Sequence, residues 1–323
     1  MIYDLSRRDT LKLAGVALGG LATGCSVVSS NLMHTQGDRM TQEKTFDAGP
    51  VKINYLDYGV ASDDSLVMLH GGAWCWKEFV SLIPPLASTR RIFALDGRGN
   101  GASGWVPNRY RLRDFADDAS CFVSRLDGQT VLLGHSIGGV TALMTAAQCP
   151  QKVKALIIED APLTLDGYRE VINSSRDMFT TWLELKQAAR SKQELGLLLA
   201  AKYSNAGVTS SWILFFAECL WRLDPTYFNV LLNDFDDFVA GYDYRAIFST
   251  VRCPVLFIRG AKSLGAVMTD AEVAFIRSRF GPSSYVEIQG VGHLLHLQDQ
   301  GQVPVLHAIS EFLRSIPAPP LPS

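Results

Sequence analysis

The chain has 323 residues, enough for one large domain or two small ones around a substantial core. Hydrophobic residues make up 47% and charged residues 19%, and 30 Lys and Arg against 32 Asp and Glu leave a net charge of −2. That balance excludes the basic field a nucleic-acid partner needs. Heptads and internal repeats are not visible either.

The first 25 residues stand apart. "SRRDTLKLAGVALGGLATGC" pairs Arg7 with Arg8 and follows them with a weakly hydrophobic Gly/Ala-rich run too short to span a bilayer. Ser6, Arg7, Arg8, Leu11 and Lys12 resemble a twin-arginine export signal, with Thr10 where phenylalanine is common. "LATGC" resembles a lipoprotein processing site, which would make Cys25 a lipid anchor, although Ala22 departs from the preferred leucine. The expectation is export, to the periplasm or the membrane surface. The competing reading is a plain N-terminal helix in a cytoplasmic protein. The other five cysteines (Cys75, Cys121, Cys149, Cys219, Cys253) show no close pair and read as small core residues.

Residues 26–45 read as a polar tether. Strand and helix signals then alternate. "VKINYLDYG" alternates like an early half-exposed strand. "SLVMLHGG", "RRIFALDGRG", "TVLLGHS", "VKALIIEDAP", "CPVLFIRGA" and "SSYVEIQGVGH" are apolar runs closed by turn residues, the pattern of buried parallel strands. "GGVTALMTAAQCP" reads as a helix ending at Pro150. The class is α/β with a mostly parallel sheet.

Residues 162–246 break the alternation. "DMFTTWLELKQAAR", "ELGLLLAAKYS", "SSWILFFAECLWRL" and "PTYFNVLLNDFDDF" are helix-like and aromatic, as a cap inserted over a site would be. The division is therefore signal 1–25, tether 26–45, core 46–161 and 247–323, and cap 162–246.

Ser136 sits in "VLLGHSIGGVTA", where a buried strand ends and a helix begins. Gly134 and Gly138 remove side chains that would clash in a sharp strand-to-helix turn, as in a G-x-S-x-G elbow. Such a turn pushes the hydroxyl forward and leaves the Ile137 N–H facing a developing oxyanion. Serine needs a base to become a nucleophile. His293, after the last strand-like run, is the candidate. His296 makes an H-x-x-H pair with it, but no third ligand cluster supports a metal. His135 is turned away from the hydroxyl within the elbow and is expected to pack beside the pocket. In "LHGGAWCW", Gly72 or Ala73 supplies the second oxyanion N–H, and Trp74 and Trp76 are expected to line the substrate pocket. Asp96 reads as structural, fixing its loop through Arg98 and the glycines that follow.

"HGG" at 70–72, "DGRGNGAS" at 96–103, "GHSIGG" at 134–139, "CPVLFIRG" at 253–260 and "GVGH" at 290–293 together resemble the α/β-hydrolase superfamily, from about Phe46 to the C-terminal helix. The resemblance implies an eight-stranded, mostly parallel sheet, with a helical cap inserted after the sixth strand. It also implies a nucleophile, acid, histidine order. Serine at 136 argues against the epoxide hydrolases and haloalkane dehalogenases, which use aspartate there.

The family's usual acid follows the seventh strand, where this chain has "RGAKSLGAVMTD", with Ser263 and Leu264 in place of a carboxylate. Asp160, ending the sixth strand, is the expected substitute. Asp270, which in "TDAEV" otherwise reads as a helix N-cap, and Glu159, pointed to the opposite sheet face, are the alternatives. The expected activity is hydrolysis of a small-to-medium hydrophobic carboxylic ester through an acyl-enzyme, with no cofactor or metal implied. A diketone C–C hydrolase, a lactone hydrolase or a haloperoxidase-like perhydrolase could use the same triad. A non-catalytic ligand-binding fold is the reading from a different class.

Overall fold

A computed structural model of the chain describes residues 42–61, 64–204 and 209–316. Arg7, Arg8 and Cys25, on which the export and lipid-anchor readings rest, lie outside the described residues.

The sheet has eight strands in the order β1-β2-β4-β3-β5-β6-β7-β8. They are β1 Gln42–Asp47, β2 Lys52–Gly59, β3 Asp64–Leu69, β4 Arg91–Leu95, β5 Gln129–His135, β6 Val153–Glu159, β7 Val255–Gly260 and β8 Tyr285–Ile288. Strand β2 runs antiparallel to both of its neighbours, and every other pairing is parallel. The central strands are apolar on both faces because both faces are covered. Alternate residues divide between two cores: Leu132, Leu156 and Ile158 join one, and Leu133, Ile157 and Ile258 the other. The sequence pattern missed β1. Its residues QEKTFD are polar, and it begins at Gln42, inside the segment read as a tether. As an edge strand it has no face to bury deeply, so it shows no apolar run. It is held by pairing such as Phe46 with Ile53 and by an ion pair, Lys44 to Asp57, at 2.8 Å.

Around the sheet lie α1 Ile83–Leu86, α2 Leu112–Ser124 and α3 Ile137–Gln148. Between β6 and β7 the described residues form six helices: α4 Leu165–Ala188, α5 Lys192–Lys202, α6 Ser210–Arg222, α7 Thr226–Asn233, α8 Phe235–Phe238 and α9 Tyr244–Thr250. This is the helical insertion read from the sequence, running a few residues later than 246. Side-chain caps start five of them, Asp234 ahead of α8 among these. Thr164, Ser191, Thr209 and Asp243 each accept from a first-turn N–H, which satisfies donors the helix itself cannot. The chain then closes with α10 Asp270–Phe280 and α11 Asp299–Ser315.

The insertion docks through an aromatic seam. Trp74 of the core stacks on Phe215 at 5.6 Å and meets Trp212 edge-on at 5.8 Å. Polar ties flank it. Asp224 N–H donates to the Gly99 carbonyl at 2.8 Å, its carboxylate accepts from the Tyr110 hydroxyl, and Arg111 pairs with Asp237 at 2.7 Å. The Cys75 and Cys219 sulfurs lie 3.2 Å apart across the same seam, both buried as free thiols. Cys121, Cys149 and Cys253 are only half-buried, so they are less interior than the sequence suggested.

Candidate active site

Ser136 occupies the single-residue hinge between β5 and α3, with φ 55° and ψ −123°. Tight contacts force that geometry. A Cβ at Gly134 would lie 2.1 Å from the Gly138 carbonyl oxygen, and one at Gly138 would lie 2.0 Å from the Leu69 carbonyl oxygen. The elbow therefore presses directly against the end of β3. Four non-glycine residues among those described have positive φ, and three of them, Ala73, Ser136 and Asp160, belong to this region. Backbone strain of this kind concentrates at functional sites.

Asp160, one residue past β6, is fully buried. Its Oδ2 lies 2.8 Å from His293 Nδ1 and accepts from the Val267 N–H at 2.9 Å, while Oδ1 accepts from the Met268 N–H at 3.2 Å. A carboxylate acceptor fixes the imidazole tautomer: Nδ1 carries the proton and Nε2 is left without one. Ser136, Ile137, Gly72 and His293 all lie on the wall of one cavity beneath the helical insertion.

Glu159 points to the opposite side of its strand, where Oε1 meets His296 Nδ1 at 2.8 Å. Burial pushes the Glu159 carboxyl up, but His296 and His135 outweigh it and hold it below its ordinary value. The H-x-x-H pair is thus split between two carboxylates. Asp270 begins α10 as its first helical residue, after the Thr269 cap, and binds Arg259 at 2.6 Å with its side chain exposed. Gly72 is on the cavity wall, whereas Ala73 is fully buried and is not.

Two pocket expectations need correction. Trp74 lines the cavity, but Trp76 does not. Its N–H donates to Asp96 at 2.7 Å and its ring packs in the second core with Phe79 and Leu82. His135 is also away from the cavity, fully enclosed. Its Nδ1 lies 2.7 Å from Glu78 Oε1, and its Nε2 lies 3.0 Å from the His293 carbonyl oxygen. Asp96 is structural, but through Trp76, Asn54 and Ala102 rather than Arg98, which pairs with Asp118 at 2.7 Å.

Sequence reading missed Glu78. Its Oε2 accepts from the Gly71 N–H at 2.8 Å, so one buried carboxylate holds both the glycine loop and His135. Burial opposes charge on either partner, yet their mutual attraction prevails. The Glu78 carboxyl is lowered to about 2 and the His135 imidazole raised to about 9. His70 braces the same loop as a neutral ring: Nδ1 faces the Gly71 carbonyl at 2.6 Å, and Nε2 accepts from the Gly97 N–H at 2.8 Å. Tyr227 of α7, also missed, brings its hydroxyl against the loop, 3.0 Å from where a Cβ on Gly72 would sit.

A family model described as "alpha/beta hydrolase fold" matches residues 64–300, which span the glycine loop, the elbow and the His293 loop.

The chain belongs to the α/β-hydrolase family. Within it, this hydrolase is 26% identical to a protein of Haemophilus influenzae that carries an esterase/lipase assignment, over 77% of this chain and 82% of the relative. Its fold matches that of E-2-(acetamidomethylene)succinate hydrolase with a TM-score of 0.66 at 21% identity, covering 85% of this chain and all of the other. It also matches a thermophilic esterase of Thermogutta terrifontis with a TM-score of 0.63 at 20% identity, covering 86% and 99%.

Proposed function

We propose that this α/β-hydrolase is a serine hydrolase of carboxylic esters, with Ser136 as nucleophile, His293 as base and Asp160 as the acid that orients it. The 2.8 Å contact between His293 Nδ1 and Asp160 carries the reading, because it leaves Nε2 basic on the wall that also bears Ser136. In this mechanism Ser136 Oγ attacks the acyl carbon as His293 takes its proton. The tetrahedral oxyanion is met by the N–H groups of Ile137 and Gly72. His293 returns the proton to the leaving alcohol, and the acyl-enzyme remains. Water then repeats the sequence and releases the acid.

The cavity encloses about 90 Å³. With one water needing roughly 10–15 Å³ on that measure, it suits a small or medium acyl group. Its wall carries Trp74, Phe179 and Trp182, which favours an apolar substrate. The esterase relatives support the same class. Among the described residues no Lys or Arg lines it, so a succinate-type substrate such as the one naming the structural neighbour is not carried over.

A fluorophosphonate probe tests the reading. Covalent labelling at Ser136, lost in Ser136→Ala and slowed at least about 100-fold in His293→Ala, is the expected result. A folded but unlabelled protein would return the chain to the ligand-binding alternative. Export by the Arg7, Arg8 signal with processing at Cys25 remains our reading of the first residues. The N-terminal sequence of the mature protein checks it.

A further inference from the structure

Two residues that line the cavity carry fully enclosed hydrogen-bond donors without a partner. The Tyr168 hydroxyl, on α4, and the Trp212 indole Nε1–H, on α6, are buried and have no partner among the described residues. Two comparable groups elsewhere in the insertion are paired. Trp182 Nε1 donates to the Tyr203 hydroxyl at 2.8 Å, and the Tyr242 hydroxyl donates to the Leu163 carbonyl at 2.6 Å. A buried donor without an acceptor is costly, and native proteins rarely leave one without a reason. Both residues belong to the wall that also holds Ser136 and His293.

The chemistry of the wall narrows what could satisfy them. An indole N–H only donates, and a phenol that keeps its proton can donate as well. The complementary group is an oxygen acceptor. Among the described residues no Asp, Glu, Lys or Arg lines the cavity, so a charged group entering it would lose its water without gaining a counter-charge. A carbonyl, ether or ester oxygen meets both conditions.

We propose that Tyr168 and Trp212 form a specificity subsite for an uncharged substrate bearing a second oxygen acceptor beyond the scissile ester. The subsite rests on the hydrolase reading of Ser136 and adds a substrate class to it. A substrate without that oxygen fits the apolar wall but buries two unsatisfied donors, whereas one with it satisfies them. Discrimination of this type is much stronger than that from a missing methylene.

Three methyl esters of similar length test the subsite: methyl 4-oxopentanoate, methyl pentanoate and monomethyl succinate. For the wild-type chain, kcat/KM for the oxo ester should exceed that for the plain ester by about tenfold or more, and that for the carboxylate ester by about 100-fold. Tyr168→Phe, which keeps the ring, should reduce the oxo-to-plain ratio by about tenfold, and Trp212→Phe should do likewise. A wild-type ratio near one, an unchanged ratio in both variants, or a preference for the carboxylate ester would overturn the proposal. Circular dichroism and melting curves establish that each variant is folded, and Tyr168→Phe alone suffices if Trp212→Phe is not. Binding of the same three esters to Ser136→Ala, followed by calorimetry, separates the two readings. If wild-type protein turns over none of them and fluorophosphonate leaves Ser136 unlabelled, the hydrolase reading fails. The affinity ratio in Ser136→Ala, with and without Tyr168→Phe, then decides the subsite by itself.

Discussion

Glu78 and His135 form a fully buried pair, 2.7 Å apart, that links three loops of the site without lining its cavity. The far nitrogen of His135 faces a carbonyl, that of His293, which can only accept. The ring must therefore carry a proton on Nε2, and the proton between Nδ1 and Glu78 belongs to the pair. Replacing Glu78 by Gln keeps the shape and removes the charge. It leaves His135 without a counter-ion, and breaking a buried pair in this way costs about 3–5 kcal/mol. We expect Glu78→Gln to melt well below wild type. Fluorophosphonate labelling at Ser136, measured on protein still folded, should slow by about tenfold, because Gly71 and His293 both lose their anchor. Unchanged melting and labelling would mean that the pair positions nothing.

The same pair sets a pH window. The Glu78 carboxyl is depressed from 4.5 to about 2, so its stabilisation is complete above pH 4.5 and is lost as pH falls toward 2. The His135 imidazole is raised from 6.5 to about 9, so its stabilisation is complete below pH 6.5 and is lost as pH rises through 9. The two overlap between pH 4.5 and 6.5. Melting curves of wild type against Glu78→Gln/His135→Gln, from pH 3 to 10, should show the largest gap there, and the gap should narrow on both sides. A gap that grows steadily above pH 7 would contradict the pairing.

Asp160→Asn should leave the protein folded and cut kcat by about 10³–10⁴-fold, with little change in KM. The amide can still accept the Val267 or Met268 N–H, but it cannot stabilise the imidazolium that forms during attack. Steady-state kinetics on a short acyl ester, beside circular dichroism, reads this directly. A loss smaller than about tenfold would remove Asp160 from the chemistry.

Much of this site was legible because its parts are local. Gly134, Ser136 and Gly138 announce a turn within five residues, and the apolar runs before Ser136 and Asp160 place both at strand ends. Alternation along β6 was enough to send Glu159 and Asp160 to opposite sides. The rest depends on contacts between distant segments. Glu78 lies in a short 3-10 turn with no periodicity, and only folding brings it to His135, 57 residues away. Trp76 was misplaced for a related reason: a glycine loop does not fix which way its successors face, and the bond to Asp96 decides it. Glu272 forms a capping box with Thr269, one residue before Asp270, to which the sequence reading gives the cap. The sequence does not reveal that the other Glu272 oxygen also accepts from the Leu163 and Thr164 N–H groups, fastening the start of the insertion to the loop behind Asp160.

Two glycines should respond oppositely to the same substitution. At Gly138 an added methyl would sit 2.0 Å from the Leu69 carbonyl oxygen and 2.7 Å from that of His70, both backbone atoms that cannot move without displacing β3. Gly138→Ala should therefore destabilise by about 3 kcal/mol or more, or fail to fold. Gly196 lies in the middle of α5, and a methyl there would meet only Leu214 and Ala217 of α6, at 3.7 and 3.8 Å. Those are ordinary contact distances, so the substitution adds helix propensity and a little buried surface. Gly196→Ala should stabilise by about 0.5–1 kcal/mol, read as a raised urea midpoint at constant slope. Equal tolerance at both positions would show that the elbow is not pressed against β3. The 2.0 Å approach, rather than backbone freedom, is then what makes glycine necessary beside Ser136.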